Sequence, residues 1–291
     1  MTVPEISQEM IRAYDEYTHL TLDRRGFMEK LTQLAGSAAA AAAIVPLIAA
    51  NSAKAAIVPP DDKRISSEDV TFKAAGGSIS AYLATPAGSP GKLPAVVVVH
   101  ENRGLNPHIE DIARRIALEG FVGLGPDFLS LLGGTPTDED KARELFGKLK
   151  PAEAVAIAVG AADYLRKDPR ANGKVGVVGF CWGGGIANQL AVHDPRLNAA
   201  VAYYGAQPVD ADVPRIKAKL MLHYAGLDDR TNAGIPAYEK ALKAAGVQFQ
   251  VFVYEGANHA FNNDTAAARY DKPAADLAWS RTVAFLKESL A

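Results

Sequence analysis

Val96-Val97-Val98-Val99 is an unbroken run of β-branched residues. A strand of that kind is stable only when both of its faces are covered. It therefore demands helical layers above and below, and the rest of the chain supplies them. Residues 107–119 place Ile109, Ile112, Ala113, Ile116 and Ala117 at helical spacing and stop at Gly120. Strands are predicted at 93–100, 121–126, 174–180, 197–204, 220–224 and 250–254. Helices are predicted at 137–150, 152–167, 183–193, 235–245 and 274–289. An antiparallel pair, 70–72 with 79–85, opens the series around Gly76-Gly77. Strand alternating with helix implies right-handed crossovers and an α/β fold, a mostly parallel central sheet with helices on both faces. No repeat or linker-like stretch follows residue 65, so 66–291 reads as one domain, joined by a short linker at 56–65 to what precedes it.

Composition narrows the partners. Of 291 residues, 31 are Lys or Arg and 33 are Asp or Glu, giving a net charge of −2. A nucleic-acid binder would carry a basic surplus, so a small-molecule partner is expected. The 48% hydrophobic and 22% charged shares exclude a disordered chain. Cys181 stands alone, which excludes an internal disulfide and any multi-thiolate zinc site. That leaves it as a core residue, a stray thiol or a nucleophile. The 6 histidines show no zinc-binding spacing, and the glycine strings match no dinucleotide or phosphate loop, so neither metal nor cofactor is expected.

Residues 1–55 read as lying outside the fold. Arg24-Arg25, with Phe27 two places on, resembles a twin-arginine export signal. The alanine run 38–43 and its apolar continuation follow, and Ala53-Lys54-Ala55 fits a small-x-small cleavage site. The run is too Ala-rich and too interrupted by Pro46 for a membrane span. The lead before the arginines, with Glu5, Glu9, Asp15, Glu16 and Asp23, is unusually acidic for such a signal. The expectation is export to the periplasm through the twin-arginine machinery. The alternative is an amphipathic helix and Ala-rich linker that stay attached to a cytoplasmic protein.

In an open parallel sheet the ligand site lies beyond the carboxyl ends of the strands. Gly179-Phe180-Cys181-Trp182-Gly183 follows the apolar strand 174–180 and opens a helix. Glycines on both sides permit a sharp strand-to-helix turn that exposes the central side chain, the arrangement of a nucleophile elbow. A helix N-terminus behind the sulfur favours its thiolate and supplies amide N–H groups for an oxyanion. A thiol nucleophile needs a base, and the base an orienting carboxylate. Asp228 or Asp229 after strand 220–224 and His259 after strand 250–254 follow in the order nucleophile, acid, histidine. Asp228 is preferred to Asp229. Trp182, Tyr203 and Tyr204 either line an acyl pocket or pack in the core.

The strings His100-Glu101-Asn102-Arg103-Gly104, Gly179-Phe180-Cys181-Trp182-Gly183-Gly184 and Gly256-Ala257-Asn258-His259-Ala260-Phe261 resemble the dienelactone hydrolase (carboxymethylenebutenolidase) family over about residues 66–290. The resemblance implies an α/β-hydrolase fold and hydrolysis of esters or lactones through a thioester. It implies a Cys-His-Asp triad of Cys181, His259 and Asp228, with an oxyanion hole from the amides of Trp182 and Asn102. It also places on Glu101 a carboxylate that hydrogen-bonds the resting thiol and disfavours the thiolate. The alternative for Glu101 is a pairing with Arg103 or a loop cap. Family enzymes acting on dienelactone hold the substrate carboxylate with an arginine four residues after the histidine. Asn263 stands there instead, which leaves Arg103 or Arg269 to take that part. Rival readings are a thioesterase or other acyl hydrolase on the same scaffold, and a non-catalytic binding protein.

Overall fold

The computed structural model describes residues 6–19, 21–49 and 57–291. Its centre is an eight-stranded sheet in the order β1-β2-β4-β3-β5-β6-β7-β8. The strands are β1 (Ile65–Ala74), β2 (Gly77–Pro86), β3 (Leu93–Val99), β4 (Val122–Pro126), β5 (Ala171–Phe180), β6 (Ala199–Tyr203), β7 (Lys219–Ala225) and β8 (Phe249–Tyr254). β2 runs antiparallel to β1 and β4, while the other pairings are parallel. The mostly parallel sheet with an antiparallel opening pair is thus present. The hairpin turns one residue earlier than predicted, at Ala75-Gly76, because both residues adopt positive φ (50° and 80°). That is the backbone a tight two-residue hairpin needs. β1 also reaches back to Ile65, since its outward residues are polar and give a weak signal.

Helices cover both faces. One apolar layer joins α6 (Pro151–Lys167), α7 (Trp182–His193) and α9 (Ile235–Ala245) to the sheet, and the other joins α4 (Pro107–Leu118) and α10 (Lys272–Ser289). Val97 and Val99 point into the first layer, Val96 and Val98 into the second, and all four are fully buried. α5 (Glu139–Phe146) is shorter than predicted because Asp138 caps its first turn and Gly147 follows its last residue. α8 (Asp229–Asn232) is a single turn after β7.

The N-terminal segment lies apart from the sheet. Its described residues form α1 (Gln8–Thr18), α2 (Arg24–Ala35) and α3 (Ala38–Ile48), and they are seated on the domain. Met10, Ala13, Tyr14, Tyr17, Phe27, Leu31, Ala41, Ile44 and Ile48 make a small core of their own. Two guanidinium groups of the domain face its aromatic rings, Arg143 at 4.0 Å from Tyr17 and Arg269 at 5.0 Å from Tyr14. Tyr17 donates to Asp140 at 2.5 Å, Arg24 pairs with Asp140, and Gln8 donates to Asn258. The apolar face of α1 demands burial, and α2 and α3 supply it, while guanidinium and polar contacts tie the unit to the domain. The proposed cleavage site Ala53-Lys54-Ala55 and Glu5 lie outside the described residues. Among the described residues, no single helix is long and apolar enough to cross a membrane. α2 and α3 pass that test only as a pair, and they meet at a bend of 109°.

The seam between β3 and α7 sets a testable limit on this packing. A Cβ on Gly183 would stand 2.4 Å from the Val99 carbonyl oxygen and 2.5 Å from that of His100. Both are backbone atoms, so the helix itself must move. Gly183→Ala is expected to cost about 1–3 kcal/mol and lower the melting temperature by several degrees. An unchanged melting curve would contradict the close approach.

Candidate active site

Cys181 occupies the one residue between β5 and α7, with φ 56° and ψ −117°. A side-chain-bearing residue tolerates that backbone only where the surroundings over-determine it. Gly179 makes the turn possible, because a Cβ there would stand 1.9 Å from the Gly183 carbonyl oxygen. The Cys181 N–H donates to the Tyr203 carbonyl at 3.0 Å, and its carbonyl accepts from Gly184 and Gly185. Among the described residues, the amides of Trp182 and Asn102 donate to no protein acceptor. The first belongs to a helix N-terminus, where free N–H groups and the macrodipole favour negative charge. Cys181 is only 7% exposed, yet it lines a cavity of about 360 Å³ with Asn102, Trp182, Tyr204 and Arg230.

Two imidazoles flank the sulfur, each held by a carboxylate-bearing residue. His259 Nδ1 lies 2.6 Å from Asp228 Oδ2, and Asp228 Oδ1 accepts from the Thr231 N–H. Asp229 is the exposed first residue of α8. His259 Nε2 is buried and has no hydrogen-bond partner. On the other side His19, which caps the end of α1, brings Nε2 to 3.4 Å from Cys181 Sγ. Its Nδ1 lies 2.8 Å from the Asp15 carbonyl oxygen and 3.3 Å from Asp15 Oδ1. The two imidazole rings meet edge to face, with centroids 4.7 Å apart at 88°.

Electrostatics follow from that geometry. Burial pushes the Cys181 thiol up, but the adjacent charges of His19 and His259 and the His19 contact outweigh it, and its pKa falls to about 6. Burial works against a charged His19 ring, while the Cys181 sulfur and Asp15 raise its pKa to about 9. His259 is likewise raised well above its ordinary value, with Asp15, Cys181 and Asp228 overcoming its burial.

Glu101 is placed differently from the expectation. Its Oε2 accepts from Asn263 Nδ2 at 2.8 Å, and its Oε1 is buried without a partner. The hydrogen-bonding neighbour of the thiol is a cationic ring from α1, not this carboxylate. The sulfur is accordingly drawn towards the thiolate rather than held protonated. Glu101 and Asn263 instead tie the loop after β3 to the loop carrying His259. Arg103 is buried, 3.5 Å from Glu139 in an ion pair and 3.3 Å from Asn102 Oδ1. Arg269 lies against Tyr14. Tyr204 turns its ring to 4.8 Å from that of His259 and leaves its hydroxyl buried without a partner. Trp182 stacks on His100 at 5.6 Å. Tyr203 belongs to the core, hydrogen-bonded to Thr282 at 2.7 Å.

Sequence reasoning missed His19, Arg143 and Arg230 at this cavity. A signal for His19 existed. Asp15 and His19 stand one helical turn apart on a helix whose other face carries Met10, Tyr14 and Tyr17. Reading the segment as a leader absorbed it.

Sheet order, strand-to-helix elbow and the position of the site at the strand ends define an α/β-hydrolase. A family model for the dienelactone hydrolase family matches residues 79–290, and the chain belongs to that family. It is a carboxylic ester hydrolase by class. A proposed carboxymethylenebutenolidase of Escherichia coli K12 is 33% identical over 229 residues, covering 73% of this chain and 83% of the relative. Protein usf of Aquifex pyrophilus is 35% identical over 233 residues, covering 76% and 98%. The crystal structure of a proposed dienelactone hydrolase from Klebsiella pneumoniae superposes with a TM-score of 0.70 at 29% identity, covering 77% of this chain and 98% of that one.

The thiolate is the form that alkylates, so the rate of Cys181 modification by iodoacetamide should rise with pH through a midpoint near 6. Removing one cation by His19→Ala should shift that midpoint upward. A wild-type midpoint near the ordinary thiol value of about 8.5 would contradict the assignment.

Proposed function

We propose that the protein hydrolyses a carboxylic ester or lactone through a thioester on Cys181, with His259 as proton carrier and Asp228 as its orienting carboxylate. The observation that carries this reading is the sulfur itself. It stands at an elbow behind a helix N-terminus, is flanked by imidazoles, and faces a cavity of about 360 Å³. Its pKa is drawn down to about 6, which favours the thiolate for direct attack near neutral pH.

The thiolate adds to the substrate carbonyl, and the negative charge moves to the carbonyl oxygen. The free amides of Trp182 and Asn102 are the donors that receive it. As the carbon–oxygen bond breaks, the His259 imidazolium gives its Nε2 proton to the departing alkoxide, leaving an alcohol and a neutral ring. In a lactone that alcohol stays attached to the acyl chain. Neutral His259 then takes a proton from water as the water attacks the thioester. Collapse releases the carboxylic acid and restores the thiolate–imidazolium pair. Asp228 keeps the tautomer and orientation that both transfers need. Glu101 acts as a positioning residue, since its bond to Asn263 holds the loop that presents the Asn102 amide.

The cavity wall suggests the kind of ester. Phe146, Trp182, Ile186 and Tyr204 supply apolar surface, and Arg143 and Arg230 supply positive charge. An ester or lactone with an acidic substituent suits that lining better than a neutral long-chain one. Asn263 carries no charge and Arg103 is buried against Glu139 at 3.5 Å, whereas Arg230 is exposed and only 3.9 Å from Asp15 at its nearest, so Arg230 is the group we assign to the substrate anion.

Export through the twin-arginine machinery is a separate proposal, supported by the order of Arg24-Arg25, the apolar run and Ala53-Lys54-Ala55. Cell fractionation with intact-mass measurement tests it. A cut after Ala55 would remove His19 from the exported enzyme.

The mechanism itself is tested by substitution. Cys181→Ala should abolish hydrolysis of p-nitrophenyl acetate without changing the melting curve. Asp228→Asn should lower kcat by roughly 10,000-fold, and Asp229→Asn by no more than a few-fold. Retained turnover in Cys181→Ala would overturn the thioester route, and the reverse order of the aspartates would reassign the acid.

A further inference from the structure

We propose that Cys181, His19 and His259 together form a binding site for a zinc-type divalent cation, and that the bound ion locks the nucleophile. Binding itself is independent of the hydrolytic reading, and only the locking effect rests on it.

One sulfur and one ring nitrogen from each histidine lie within 4.8 Å of one another. Thiolate plus imidazole is the donor set for zinc and cobalt, and the absence of a further oxygen ligand in this set disfavours magnesium or calcium. The 3.4 Å between Cys181 Sγ and His19 Nε2 is close to the edge of a tetrahedral site. Zn–S of about 2.3 Å and Zn–N of about 2.05 Å subtend about 3.5 Å. His259 Nε2 is buried and has no hydrogen-bond partner among the described residues, so no protein contact has to be broken for it to bind an ion. The surroundings of the histidines point the same way. Metal-bound imidazoles almost always pass their second nitrogen to a carboxylate or carbonyl. Here His259 Nδ1 has Asp228 at 2.6 Å, and His19 Nδ1 has the Asp15 carbonyl at 2.8 Å and its carboxylate at 3.3 Å. Cys181 and His19 also line the cavity, from which water can supply a fourth ligand.

Sequence spacing gives no hint of such a site. Cys181 and His19 are separated by 162 residues, and the ligands meet only because α1 is seated on the rim. In balance, the cation takes the place of the protons on the two imidazolium rings, and both leave to solvent. The sulfur lone pair and His259 Nε2 then belong to the metal, so neither attack on a carbonyl nor proton transfer to an alkoxide can proceed. A chelator reverses the state.

The full chain, freed of metal, is titrated with Co2+ and watched by absorption spectroscopy. We expect one ion per chain, with a sulfur-to-cobalt charge-transfer band and the d–d bands of a tetrahedral ion, all displaced by Zn2+. Cys181→Ser should lose the charge-transfer band. His19→Ala should weaken binding at least tenfold, and Asp15→Asn, which keeps all three donors, by about tenfold. Melting curves confirm that each variant is folded, and the Asp15→Asn result carries the test if His19→Ala is not. Ester hydrolysis followed in parallel should fall with occupancy and return with chelator. Absence of the charge-transfer band, or binding indifferent to both the His19 and Asp15 changes, would overturn the site. A band in a protein without esterase activity would instead sink the hydrolytic reading and leave the metal site standing.

Discussion

The Cys181 sulfur sits between two imidazoles, and the rest of the site depends on that contact. A buried thiolate is costly on its own, because burial favours the neutral form. The two imidazoles reverse the balance, and their own pKa values are raised in turn despite burial, that of His19 by Cys181 and then Asp15, that of His259 by Asp15, Cys181 and Asp228. Asp15 and Asp228 thus act on the sulfur through His19 and His259. The result is an alternating series of carboxylate, imidazole and sulfur beside the cavity.

The fold makes this arrangement possible by delivering its parts from separate elements to one edge. β5 and α7 supply the sulfur, the loop after β8 the imidazole, and the end of β7 the carboxylate. Close backbone approach sets the precision. Gly179 and Gly183 let the elbow pass within touching distance of β3 and of itself, which forces Cys181 into positive φ and points its side chain outward. The N-terminal helix then adds a second ring from the solvent side. Its aromatic face is held by guanidinium groups of the domain itself, so α1 belongs to the wall of the cavity.

Much of this was legible in the sequence. The valine run of β3 dictated two helical layers, and helical spacing located α4 and α9 closely because their apolar stripes are regular. The elbow was visible through its paired glycines, and the order of Cys181, Asp228 and His259 through their strand-end positions. Two things were not. Glu101 was expected on the thiol, yet Asn263, which stands where family enzymes acting on dienelactone carry an arginine, donates its amide N–H to that carboxylate. Local strings say nothing about such a trade across loops. His19 was hidden because its segment carries a second, competing pattern, an arginine pair followed by alanines, which suggested a leader. A contact across 162 residues has no periodic signature.

The central claim is that the sulfur forms a covalent bond to the substrate acyl group. Rapid acid quench of the enzyme during turnover of a p-nitrophenyl ester, followed by peptide mass spectrometry, reads that bond directly. The account predicts the acyl mass on the peptide containing Cys181, formed within the first turnover and lost as the ester is exhausted. Continued turnover with an unmodified Cys181, or an acyl group on a hydroxyl elsewhere, would contradict it.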